Sequence, residues 1–317
     1  MPIVEHDPWR MQYFNDVDCP EDIFISTDDL DSYRLYPKHR WIYNKLLVAE
    51  TQGLPCGPHG ILPETYPVFS KPIYNLRGMG METRVFPSEA EYLAERDPGH
   101  MWVELLRGDH LSSDLAVVAG EVQWWRHVQG KPGPHQTFDY WTVLAARRPD
   151  VEQFCEAWVK EHFADYTGMM NLETIGGRII EGHLRFADQW PDLYGAGWLN
   201  ALVGLYRDGR WNHADSDRRD GYSLVLFAAH GAVHRHPPPT LIEELQRTPG
   251  VSSIQITFHE DKAPELHAMP PGGFRVAVIN AWDLEAGEQV RRRLGAWFFE
   301  NRRLRPRRRR HVTVLAK

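Results

Sequence analysis

The sequence predicts an α+β protein, and three observations carry that expectation. Residues 168–185 hold two short alternating runs around Gly176-Gly177, a hairpin signal, with helical spacing before them at 149–163 and after them at 190–206. Residues 67–86 read as a strand, a glycine loop and a second strand. Residues 222–315 read in the order βαββαβ, the split βαβ arrangement of ferredoxin-like modules.

Composition bounds what such a chain can be. Its 317 residues allow two or three modules, its 42% hydrophobic content allows a core, and 25% charged residues is ordinary for a globular protein. A net charge of −7 gives no global attraction to nucleic acid. Cys19, Cys56 and Cys155 are odd in number and lack zinc spacing, which fits reduced thiols in a cytoplasm. No apolar run reaches the roughly 18 residues of a membrane span, and the first residues lack a signal-peptide pattern, so a cytoplasmic protein without a membrane partner is expected.

Taken in order, residues 1–65 form a short N-terminal segment, polar and irregular up to residue 40, with a turn at Asp28-Asp29 and a helix from Trp41 that ends near Gly53. Residues 66–106 form a small lobe. In it Val68-Phe69-Ser70-Lys71 is a strand ending in a lysine, and Gly78 to Gly80 let a backbone approach an anion closely. His100 to Leu106 is a further strand leading into the connection at Arg107-Gly108-Asp109. Residues 107–220 form a large lobe whose aromatics, Trp124, Trp125, Phe138, Tyr140 and Trp141, either pack the sheet or stack on an acceptor. Cys155 falls on the apolar face of helix 149–163 and is expected in the core. Residues 221–317 form the C-terminal module, and the loop histidines His230, His234 and His236 are expected to be exposed.

The hairpin carries the chemistry. A two-residue turn would send Glu173 and Glu181 to opposite faces, whereas a three-residue turn, Gly176-Gly177-Arg178, sets them directly across from each other beside Asn171, His183 and Arg185. The three-residue turn is the expected one. Two carboxylates so placed repel unless something positive lies between them, and a divalent cation such as Mg²⁺ would serve. The alternative is a solvated face on which the two side chains splay apart.

Gly168-Met169-Met170-Asn171-Leu172-Glu173 followed by Ile180-Glu181-Gly182-His183-Leu184-Arg185 resembles the metal-binding hairpin of ATP-grasp enzymes. The resemblance covers about residues 40–210 and implies two α+β lobes clamping ATP. By resemblance, Glu173, Glu181 and His183 take the metal positions for Mg²⁺ or Mn²⁺, with an imidazole at His183 where the family has an amide, and Arg185 steadies a transferring phosphoryl group. Lys45, Lys71, Gly78 and Gly80 take the phosphate positions, with Lys71 counted as catalytic together with Arg185. Val103, Glu104 and Leu106 line the adenine slot, and His110 stands where the family has an acid on the ribose.

What the resemblance implies is a carbon–nitrogen-forming ligase, with residues 1–65 in place of the usual N-terminal α/β domain. It would convert a carboxylate to an acyl phosphate and pass it to an amine or thiol, with small-molecule or peptide carboxylates and amines as partners. A phosphotransferase or a non-catalytic nucleotide- or RNA-binding protein of the same fold are the alternatives, and a homodimer is left open. The run Arg302 to Arg310 offers charge for nucleic acid, but a solvated basic face is the favoured reading.

Overall fold

The computed structural model describes residues 3–5, 7–76, 82–133, 138–228, 231–263, 266–267 and 273–304. Two antiparallel sheets organise it. The smaller has four strands, β1 (Cys56–Pro58), β2 (Val68–Pro72), β3 (Arg84–Phe86) and β4 (His100–Glu104), in the order β1-β4-β2-β3. Val68, Phe86, Tyr92 and Trp102 form one of its cores, while Ala49, Met101 and Val103 form another. The glycine loop expected at Gly78 to Gly80 lies outside the described residues.

The larger sheet has eight strands: β5 (His110–Val118), β6 (Glu121–Pro132), β7 (Phe138–Val143), β8 (Gly168–Ile175), β9 (Arg178–His183), β10 (Gly221–Ala228), β11 (Val251–Ile256) and β12 (Phe274–Ala281). Their order is β9-β8-β5-β6-β7-β10-β12-β11. The C-terminal elements come in the expected sequence up to the second helix, and β10, β12 and β11 lie as a split βαβ would place them. The position beside β10 that a fourth strand would fill is taken by β7, with Trp141 opposite Ser223 and Val143 opposite Gly221. Residues from 221 onward therefore extend the main sheet instead of building one of their own. Hydrophobic pattern alone cannot tell these outcomes apart, because a strand buried on both faces reads the same in either. The expected last strand, 311–315, lies outside the described residues.

Of the helices, α1 (Asp29–Leu35) and α2 (Lys45–Glu50) belong to the N-terminal segment. Both are capped by side chains, Asp28 accepting from the Asp31 amide at 2.8 Å and Asn44 from the Leu47 amide at 3.1 Å. Asp28-Asp29, expected as a turn, is instead a helix start. Ser88 opens α3 (Glu89–Ala94) in the same way. Helix α4 (Pro149–His162) buries Val151, Cys155, Trp158 and Val159, one stripe of an amphipathic helix, against the back of β5, β6 and β8. Cys155 is in the core, as its spacing predicts. The helix expected over 190–206 is interrupted: a 3₁₀ turn at Pro191–Tyr194 ends at Gly195, and α5 (Trp198–Asp208) starts after Gly197, both glycines having positive φ. Helices α6 (Pro239–Gln246) and α7 (Leu284–Asn301) cover the back of β10, β12 and β11. His234 departs from the exposed loop expected for it, being buried with its ring against Phe274 and Phe298.

The first part of the N-terminal segment lies across the front of the large sheet, and Ile42, Tyr43 and Val48 turn into the back core beside Val151 and Trp158. Phe14 and Ile25 enter the core that holds Phe186 and Trp198, and Ser32 Oγ donates to the Leu184 carbonyl at 3.2 Å. A stretch that reads as irregular in sequence thus covers the polar face of the hairpin.

Candidate functional site

The hairpin β8–β9 places Glu173 directly across from Glu181 and Asn171 across from His183, the pairing the sequence predicts. It gets there by another route. Ile175 pairs with Arg178, so the turn has two residues, Gly176 and Gly177, with φ of 56° and 78°, both positive as a type I′ turn requires. A bulge after Glu173 then shifts the register by one and returns the two glutamates to one face. The turn is seated on the connection between the lobes: the Gly176 amide donates to the Asp109 carbonyl at 3.1 Å, and a Cβ at Gly176 would lie 2.2 Å from the Arg107 carbonyl oxygen.

The two carboxylates tolerate each other because each has its own protein cation. Lys45 Nζ lies 2.9 Å from Glu181 Oε2, and His110 Nε2 lies 3.2 Å from Glu173 Oε2. A shared metal ion is therefore not needed to hold this register. Lys45 is buried at the start of α2. Lys71, also buried, reaches from β2 to donate to the Ile180 carbonyl at the bulge, 2.6 Å away. Burial, helped by the charge of Lys45, lowers the Lys71 pKa to about 8. Burial pushes the Glu173 carboxyl up, but the His110 hydrogen bond and the charges of His110, His183 and Lys45 outweigh it and hold Glu173 ionised. Lys45 from the N-terminal segment and Lys71 from the small sheet thus converge on the hairpin strands that carry Glu173 and Glu181.

Arg185 and His183 converge on a residue that the sequence reading passed over. Asp29 Oδ1 lies 2.9 Å from Arg185 Nε and 2.9 Å from His183 Nδ1, and Arg185 Nη2 donates to Asp29 Oδ2 at 3.1 Å. Burial opposes ionisation of Asp29, yet Arg185 and His183 together hold it well below the carboxylate range. His183 Nε2 stands 3.8 Å from Glu181 Oε1. Among the described residues no group of three or more His, Cys, Asp or Glu side chains is placed to hold a metal ion by itself. The donor set fits a hard cation taking one or two carboxylate oxygens from protein and the rest from water and phosphate. The only signal for Asp29 was the Ser-Thr-Asp-Asp run, which marks a helix start and says nothing of what lies across the fold.

Of the residues expected at an adenine slot, Val103 packs into the small-lobe core with Ala49 and Met101, so its side chain serves the lobe. Glu104 and Leu106 are half-buried at the lobe junction. His110 lies edge-on to Trp141, with Phe138 5.5 Å away. Trp124 and Trp125 are buried and pack the sheet, while Phe138 and Trp141 remain half-buried near Glu173. Two further residues went unread. Asp114, buried on β5, accepts from Asn171 Nδ2 at 2.6 Å and from the Ala187 amide at 2.8 Å, and burial raises its pKa to about 6. Gln52 pairs with both the amide and the carbonyl of Ile179, at 2.8 and 2.7 Å, closing the free edge of β9. The arginine run is described only up to residue 304.

No family model and no curated protein matches the sequence. Solved structures do match the fold. L-amino acid ligase from Bacillus licheniformis aligns over 94% of this chain and 84% of its own at 11% identity and a TM-score of 0.56. Phosphoribosylamine–glycine ligase from Thermotoga maritima aligns over 90% and 84% at 15% identity and a TM-score of 0.57. Carboxyaminoimidazole ribonucleotide synthase from Aspergillus clavatus, complexed with ATP, aligns over 87% and 82% at 14% identity and a TM-score of 0.56. At these identities the likeness is one of fold, and with the small four-stranded lobe, the large antiparallel sheet and the paired glutamates of its hairpin, the chain has the ATP-grasp fold.

Proposed function

We propose that the chain is an ATP-dependent ligase that phosphorylates a carboxylate to an acyl phosphate and lets an amine or thiol displace the phosphate. The observation that carries this reading is the meeting of Lys45 and Lys71 with Glu173 and Glu181 at the lobe junction. Lys45 and Lys71 are compact buried cations of the kind that hold phosphate oxygens. Glu173 and Glu181 would hold Mg²⁺ or Mn²⁺, which when bound neutralises charge on the phosphates. His183 stands behind Glu181 with its Nδ1 tied to Asp29. Arg185, already neutralised by Asp29, keeps its guanidinium fixed beside the site. Glu104, Leu106 and His110, half-buried beside Glu173 and the lobe junction, would face the adenine and ribose. The protein's part is then to position and to neutralise charge, which is most of the catalysis phosphoryl transfer needs.

The test is ADP formation with pooled carboxylates and amines, wild type beside Glu181→Gln. Wild type releases ADP and inorganic phosphate only when both pools are present, and Glu181→Gln lowers the rate about 100-fold. Equal ADP release by both proteins overturns the site, and ADP without inorganic phosphate makes the protein a phosphotransferase.

A further inference from the structure

The loop that follows the hairpin runs on from Arg185 to Gln189 and joins it to the C-terminal strands of the large sheet. From Arg185 onward, Asp188 pairs with Arg10, and Gln189 Oε1 accepts from Arg275 Nη1 at 3.2 Å. Three arginines of this face are neutralised: Arg185 by Asp29, Arg10 by Asp188 and Asp7, and Arg126 by Asp215. Arg275 is the exception. It is half-buried on β12, and among the described residues no carboxylate lies within ion-pairing distance of it. Burial lowers its pKa, with Asp188 pulling the other way from a distance.

The amide it touches is held in place. Gln189 Nε2 donates to Ser223 Oγ at 2.9 Å, and the Gln189 carbonyl accepts from Gln255 at 2.7 Å and Asn280 at 2.8 Å. Gln189 therefore presents a fixed Oε1 that aims the guanidinium while leaving most of its five donors for something else. A half-buried cation with no carboxylate in contact is unfavourable until an anion arrives, and a guanidinium matches carboxylate or phosphate oxygens in pairs.

We propose that Arg275, aimed by Gln189, binds a second anionic group of the acceptor substrate, so that the ligase acts on an acid carrying a further carboxylate or phosphate. The proposal rests on the ligase reading above for where the reacting carboxylate sits. Three residues separate Arg185 from Gln189, and the four steps along the chain limit their Cα separation to about 14 Å, a span suited to small dianions.

The experiment compares wild type, Arg275→Gln and Arg275→Lys. Binding of glutarate, of 3-phosphoglycerate and of butyrate is measured by calorimetry without nucleotide, and ADP release is measured with the same acids plus an amine pool. Thermal unfolding first verifies that the variants fold. Wild type is expected to bind a dianion at least tenfold tighter than butyrate. Arg275→Gln should lose that preference, raising KM for the dianion at least tenfold with KM for ATP unchanged, and Arg275→Lys should fall between. Whichever dianion shows the effect identifies the second group as carboxylate or phosphate. Arg275-dependent binding without ADP release keeps the subsite and removes the ligase reading. ADP release indifferent to Arg275→Gln, or equal binding of butyrate and both dianions, overturns the subsite and leaves the ligase reading standing.

Discussion

Each side of the large sheet carries a histidine–glutamate pair, and the pKa values of the two histidines move in opposite directions. On the back, His127 is fully buried between Ser113 Oγ, 2.8 Å from Nδ1, and Glu152 Oε1, 2.8 Å from Nε2. On the front, His110 and Glu173 are 3.2 Å apart with 28% of each side chain exposed. Burial lowers the His127 pKa and Glu152 fails to offset it, because Arg147 and the Arg148 amide already claim that carboxylate. Burial also opposes the charge on His110, but there Glu173 and Glu181 prevail and the pKa rises. The back pair connects serine, histidine and glutamate as a hydrolase triad does, yet no substrate reaches a serine with no exposed surface. A carboxylate saturated with donors is a strut; one with capacity left over can serve a ligand.

The strut predicts the largest effect. Glu152→Ala strips an acceptor from His127, Arg147 and the Arg148 amide at once, and should cost about 3 kcal/mol in urea unfolding. A loss under about 1 kcal/mol would mean that the back network is slack. Burial raises the Glu152 pKa, but these donors lower it to about 2. Its stabilisation is therefore complete above the unfolded carboxyl value of about 4.5 and is lost as pH falls toward about 2. Ser113→Ala removes only the hydrogen bond to His127 Nδ1 and should cost about 1 kcal/mol, without changing ADP release.

The difference between the two pairs was only half legible in the sequence. Spacing around Gly176-Gly177 placed Glu173 opposite Glu181, because a period of two leaves few registers, but the two-residue turn and the bulge that together achieve it leave no mark in the spacing. Helix α4 could be read from its apolar stripe, whereas Glu152, on its polar side in sequence, turned out to be buried under Arg147. Asp29 and Gln189 were unreadable for the same reason: neither falls in a stretch whose sequence has a clear period, and each acts only through partners more than 30 positions away. The continuous eight-stranded sheet was missed because strand order is set by which edge is free, a property of the fold and not of any one strand.

The front pair predicts the smallest change in stability and the clearest change in its pH dependence. Glu173→Gln loses a partly exposed ion pair but also relieves the repulsion from Glu181, so at pH 7 the net effect should stay within about 1 kcal/mol. In wild type the folded-state pKa of His110 is above its unfolded value, so this pair stabilises the fold fully below about pH 6.5, and that contribution disappears as pH rises through the folded pKa. Without the Glu173 carboxylate, burial is left to act against a weaker attraction from Glu181, and the His110 pKa should fall. Following the His110 ring by NMR in both proteins gives the two midpoints directly. Urea unfolding at pH 6 and pH 8 should show wild type losing more stability than Glu173→Gln between those values, since groups common to both proteins cancel. If the midpoints coincide, the His110–Glu173 pair does not exist in solution, and the front of the sheet has no more capacity for a ligand than the back.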